Sequence, residues 1–247
     1  MPFKSFGLTA TIVLMSGLSF SSKGIAATPT GLERPSTLTV AQKIIANPVE
    51  VDGEFDRWFY RGNEQINLGN YPKAIEAYDR ALEVDASVPE AWVNRAIALT
   101  ELEQYEDAIA SYQTALEIAP ELVDAWVGLG NVLDDGGNPE KALMAYQEAL
   151  NLDPDRENAW FNQGVTLTRL ERYGEAVASY DRALDINPTS ESSWVNRGVA
   201  LLSLGDYEGA VESFDRVMRI NPNNTQVRQL LDAINESLGA RSNPSWG

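Results

Sequence analysis

The chain has 247 residues, 44% of them apolar, and its 36 acidic and 19 basic side chains leave a net charge of −17. That balance excludes a phosphate-neutralising nucleic-acid surface and disfavours contact with an anionic membrane face. Cysteine and histidine are both missing, which removes disulfides, thiolate metal sites, cysteine nucleophiles and the commonest general base and metal ligand.

Residues 1–27 read as a secretory signal peptide. Lys4 supplies the positive end, Phe6 through Phe20 form an apolar run broken only by small residues, and Gly24-Ile25-Ala26 and Ile25-Ala26-Ala27 offer small side chains for cleavage. The apolar run is shorter than the ~20 residues a membrane helix needs. The expectation is an exported chain in the periplasm, the thylakoid lumen or the extracellular space, with no integral span once the leader is removed. An uncleaved leader would instead anchor it to the membrane. Residues 28–54 read as a linker, from Thr28-Pro29-Thr30-Gly31 and Arg34-Pro35-Ser36-Thr37, with Pro48 ending the short apolar stretch from Val40 to Ile45.

From there Trp58, Trp92, Trp126, Trp160 and Trp194 stand 34 residues apart, so five units tile residues 55–88, 89–122, 123–156, 157–190 and 191–224 without a gap. A fixed period of this length marks a stacked array whose units bury their apolar faces against one another. Position 4 of each unit is tryptophan and position 8 is small (Gly62, Ala96, Gly130, Gly164, Gly198). Position 20 is Ala74, Ala108, Ala142, Ala176 and Ala210, and position 24 is Tyr78, Tyr112, Tyr146, Tyr180 and Phe214. Position 27 is alanine until Val217, and position 32 is proline except for Ala86. Positions 4, 8 and 11 fall on one stripe of a first helix, and positions 20, 24 and 27 on one stripe of a second. Gly69-Asn70, Gly137-Asn138 and Gly205-Asp206 suit a helix end that needs a left-handed residue. The proline at position 32 stops the second helix. Residues 225–240 read as a closing helix with Val227, Leu230, Leu231, Ile234 and Leu238 on one face, and residues 241–247 as an unstructured tail.

These positions resemble the tetratricopeptide repeat in its tryptophan-at-position-4 form, over residues 55–224. The resemblance implies an all-α fold, a right-handed superhelical solenoid of antiparallel helix pairs with a C-terminal capping helix, whose concave groove is lined by the first helices. It also implies a non-enzymatic scaffold binding a protein or peptide. Assembly of an envelope or membrane complex is one setting for it, with a self-assembling array or an accessory module of a glycosyltransferase-type system as alternatives.

At about 100° per residue, the stripe of positions 2, 6, 9 and 13 lies about 160° from the buried one and is expected to face the ligand. It holds Asn63, Asn94, Asn131, Asn162 and Asn196, whose amides both donate and accept. In related repeat proteins asparagines here hold a peptide main chain, and the resemblance implies the same role. Phe59 and Phe161 are candidate aromatic anchors. Asp56, Glu90 and Asp124 make the first three units acidic and point to a partner basic at one end. Chaperone-binding relatives clamp a C-terminal carboxylate with basic residues, but the matching slots here hold Asp124 and Gly128, which disfavours acidic-tail capture. No phosphate loop, nucleophile elbow or zinc pattern is present, Asp134-Asp135 lacks the alternating ligands of a calcium loop, and no cofactor is expected.

Overall fold

A computed structural model describes residues 53–242. The expected leader (1–27), all of the expected linker except its last two residues, and residues 243–247 lie outside that range. The described residues are all-helical. In chain order the helices are α1 (Glu54–Asn67), α2 (Tyr71–Val84), α3 (Pro89–Glu101), α4 (Tyr105–Ile118), α5 (Val123–Asp135) and α6 (Pro139–Leu152). They continue as α7 (Glu157–Arg169), α8 (Tyr173–Ile186), α9 (Glu191–Leu204), α10 (Tyr207–Ile220) and α11 (Thr225–Ser242).

Each first helix ends in the same way. The residue at position 15 of the unit is left-handed in all five, with φ of 68° at Gly69, 78° at Gly137 and 80° at Gly205, and 58° at Glu103 and 59° at Glu171. The following N–H then bonds the carbonyl five residues back: Asn70 to Gln65, Gln104 to Leu99, Asn138 to Leu133, Arg172 to Leu167 and Asp206 to Leu201. This 6→1 bond satisfies a carbonyl that the helix end would otherwise leave bare. Sequence pointed to the three glycines. The two glutamates adopt the same conformation because the hairpin geometry demands it.

The described chain divides into two compact units within α7, between Thr166 and Leu167. In the first, α1 to α6 pack in sequence, and the first helices α1, α3 and α5 also touch in series. In the second, α8, α9, α10 and α11 pack in sequence.

Small residues set how closely the helices of a pair approach. A methyl group on Gly62 would lie 2.4 Å from Cε1 of Tyr78, and one on Gly130 would lie 2.4 Å from Cε1 of Tyr146. In the second repeat position 8 is Ala96, and the Tyr112 ring lies instead against Gly128, where an added methyl would be 2.5 Å from its Cζ. Tyr78, Tyr146 and Phe214 are completely enclosed. Burial pushes the Tyr78, Tyr112 and Tyr180 hydroxyls well above the ordinary phenol range.

The five repeat tryptophans are half-buried, and four of them have a second task. Four indole N–H groups donate to the main chain six residues earlier: Trp92 to Ala86 O (2.9 Å), Trp126 to Pro120 O (2.8 Å), Trp160 to Pro154 O (2.8 Å) and Trp194 to Pro188 O (2.9 Å). The acceptor is position 32 of the preceding unit. It is a backbone carbonyl, so Ala86 serves as well as proline.

At the C-terminal end, α11 buries Val227, Leu231 and Ile234 against Leu201, Phe214 and Val217. Arg228 on α11 donates to Pro222 O, the position-32 carbonyl of the last repeat. The helix runs on through Arg241 and Ser242, two residues past the expected 225–240.

Candidate functional site

The stripe expected to meet a ligand is less open than its position on an isolated helix suggests. Asn63 is 5% exposed, Asn94 7% and Asn196 8%. Asn131 and Asn162 are half-buried. Four of the five asparagines are bonded in pairs between neighbouring first helices.

Asn63 Oδ1 accepts from Tyr78 Oη at 2.7 Å and from Asn94 Nδ2 at 3.0 Å. Two repeats later Asn131 Oδ1 accepts from Tyr146 Oη at 2.9 Å and from Asn162 Nδ2 at 2.8 Å. Each triad joins α1 to α3 or α5 to α7, with the tyrosine of the second helix beneath. The expectation of freely presented asparagines is therefore corrected: one oxygen of each triad is committed to the fold. What remains is specific. The Nδ2 of Asn63 and Asn131, and the Oδ1 of Asn94 and Asn162, make no bond among the described residues and are not sealed from solvent. Each triad thus offers an unused donor beside an unused acceptor, the pair that an extended main chain presents in complement. Asn196 differs, since its Nδ2 turns back to Ser192 O at 2.9 Å.

The intervening joint, between α3 and α5, has no such triad. Ile97 occupies the register of Asn63 and Asn131, and Gly128 that of Asn94 and Asn162. Ile97 and Val93 are half-buried there, and Val127 is buried.

Phe59 is corrected as an anchor. It is 8% exposed, stacked on Phe55 with ring centroids 5.6 Å apart, and 6.0 Å from the Tyr78 ring. Phe161 is half-buried and has ring or polar contacts of its own. Asp56 and Glu90 are exposed. Asp124 is ion-paired with Arg156, which neutralises the acidic slot of the third repeat. Among the described residues no cluster of three His, Cys, Asp or Glu could hold a metal ion, and no described helix is long and apolar enough to cross a membrane.

A second polar device recurs that the apolar positions alone do not reveal. Arg95 donates from Nε to Asp79 Oδ1 at 2.7 Å and from Nη1 to Ser111 Oγ at 2.7 Å. Arg197 does the same to Asp181 at 2.6 Å and Ser213 at 2.7 Å. Both guanidinium groups also lie over their own tryptophan, 5.9 Å from Trp92 and 5.7 Å from Trp194. The signal was present in the 34-residue register, as an arginine at position 7 with an aspartate at position 25 of the unit before and a serine at position 23 of its own.

Residues 61–122 and 127–191 match the Tetratricopeptide repeat family, and residues 192–224 match a further Tetratricopeptide repeat description. The chain belongs to the tetratricopeptide repeat family. Members of this family commonly mediate protein–protein interaction and are in general non-catalytic scaffolds. No curated protein sequence matches this tetratricopeptide repeat chain. Among solved structures it is similar to MamA from Desulfovibrio magneticus, at 18% identity and a TM-score of 0.65, covering 71% of this chain and 99% of that one. It is similar to a tetratricopeptide repeat protein from Parabacteroides merdae at 17% identity and a TM-score of 0.66, covering 76% and 75%. It is also similar to YrrB, described as a TPR protein with an unusual peptide-binding site, at 25% identity and a TM-score of 0.60, covering 70% and 89%. These likenesses carry the all-α solenoid fold expected from the period.

Proposed function

We propose that this protein is a non-enzymatic scaffold that holds an extended segment of a partner protein along the face formed by α1, α3, α5 and the first part of α7. The observation that carries the reading is the unused donor and acceptor at each asparagine triad. A main chain lying across a triad can satisfy both, without demanding a particular side chain. The likeness to YrrB, with its peptide-binding site, supports the same reading. Asp56 and Glu90, exposed near the α1 end, favour a partner that is basic there. The leader-like segment at residues 1–27 supports work outside the cytoplasm, in the periplasm, a thylakoid lumen or the extracellular space, including assembly of an envelope or membrane complex.

Partner capture tests the reading. The chain from residue 28 onward is crosslinked in its native compartment beside an Asn94→Ala/Asn162→Ala variant shown by circular dichroism to keep its helices. The wild type is expected to retain partners that the variant loses. Equal recovery by both would refute the face as the binding surface. Fractionation of cells carrying the full chain checks the export part separately.

A further inference from the structure

The two triads are not evenly distributed, and their spacing constrains the ligand. Triads sit at the first joint (Asn63 with Asn94) and the third (Asn131 with Asn162), while the second joint carries Ile97 and Gly128 in the same register. First helices in contact lie about 10 Å apart, so two joints span about 20 Å. An extended chain advances about 3.3 Å per residue, so about six residues bridge that distance.

We propose that the bound segment is fastened by its main chain at two stations about six residues apart, Asn63/Asn94 and Asn131/Asn162, with an apolar side chain seated on Val93 and Ile97 between them. The inference rests on the proposed binding face and adds the ligand class. The middle joint offers the methyl groups of Val93 and Ile97 where its neighbours offer amides; the Tyr112 hydroxyl lies beneath, beside Gly128, and Tyr112 is 3% exposed. A charged side chain over those methyl groups would lose water without gaining an ionic partner. An aliphatic or aromatic one covers Ile97 and Val93, which are only half-buried in the free protein. Main-chain amides of the middle residues meet no asparagine there and keep their water. Gly128 is not a pocket for the ligand, because the Tyr112 ring already lies against it.

The test uses a synthetic library of end-capped decapeptides, four central positions randomised within glycine-serine flanks, screened against the full chain. The tightest binder is then N-methylated at each residue in turn and measured by fluorescence anisotropy. The expected result is an apolar residue selected at the centre. Two N-methyl positions about six residues apart should each lose at least tenfold in affinity, with less than threefold loss between them. Ile97→Ala should reduce the preference for the apolar centre by about tenfold while leaving the two N-methyl positions sensitive. One unbroken run of sensitive positions, or selection of polar centres, would overturn the two-station inference and leave peptide binding standing. Failure of every library peptide to bind would overturn the proposed function and the inference with it.

Discussion

Replacing Asn63 by alanine removes the one acceptor that serves both the Tyr78 hydroxyl and the Asn94 amide. Tyr78 is fully enclosed, so its hydroxyl cannot turn to water, while the Asn94 amide is nearly covered. Each stranded donor costs roughly 1–3 kcal/mol. The Asn94 side reaches some solvent, so the sum is taken as roughly 2–4 kcal/mol, or about 5–15 °C in melting temperature for an array of this size. Asn196→Ala is the matched control. Its amide bonds only Ser192 O, one turn back on the same helix, and its loss should stay below about 1 kcal/mol. Urea unfolding followed by circular dichroism measures both, compared by midpoint because repeat arrays can open in parts. A Tyr78→Phe change added to Asn63→Ala removes one stranded donor and should restore about 1 kcal/mol. If Asn63→Ala unfolds within ~0.5 kcal/mol of wild type, or costs no more than Asn196→Ala, the asparagine triad is not a structural bolt.

Glu103 and Glu171 hold a left-handed conformation that glycine adopts without strain, so Glu103→Gly and Glu171→Gly should each stabilise by up to about 1 kcal/mol, with calorimetry as the check. Thr166 is fully buried with its hydroxyl unbonded. Thr166→Val keeps the shape and should raise stability by roughly 1 kcal/mol in urea unfolding; a loss would mean that the hydroxyl has a partner. The tyrosines give a pH signature. With the folded Tyr78, Tyr112 and Tyr180 hydroxyls raised by burial, the unfolded chain releases those protons first. Their stabilising effect is intact below about pH 10 and falls by about 1.4 kcal/mol per pH unit per tyrosine above it. Denaturant midpoints measured from pH 8 to 11.5 should hold and then drop, and a flat alkaline limb would contradict the burial.

The sequence was most informative where a residue's role depends on its own hairpin. The small residue at position 8 and the alanine at position 20 recur in all five units, so the period exposes them. It was least informative where a role depends on the next unit. Asn63 and Asn94 were placed correctly on the stripe opposite the hairpin's interior, but the angle on one helix cannot show that the adjacent first helix closes over it. Phe59 misled for a related reason, since its exposure depends on Phe55 beside it and Tyr78 beneath. Glu103 and Glu171 gave no local warning, because nothing in glutamate's own preference favours a left-handed turn. The Arg95–Asp79–Ser111 clamp was legible in principle, but only by comparing polar positions across units as closely as apolar ones.

The indole bonds act as length gauges at the joints. Because Trp92, Trp126, Trp160 and Trp194 each reach a carbonyl six residues upstream, one residue inserted into that stretch would carry the acceptor out of reach and tilt the helix that follows. Removing or duplicating an entire 34-residue block would leave every gauge reading the same distance. The architecture therefore tolerates change in whole modules and resists it in single residues. This gives a physical reason for five copies that run on without a single gap.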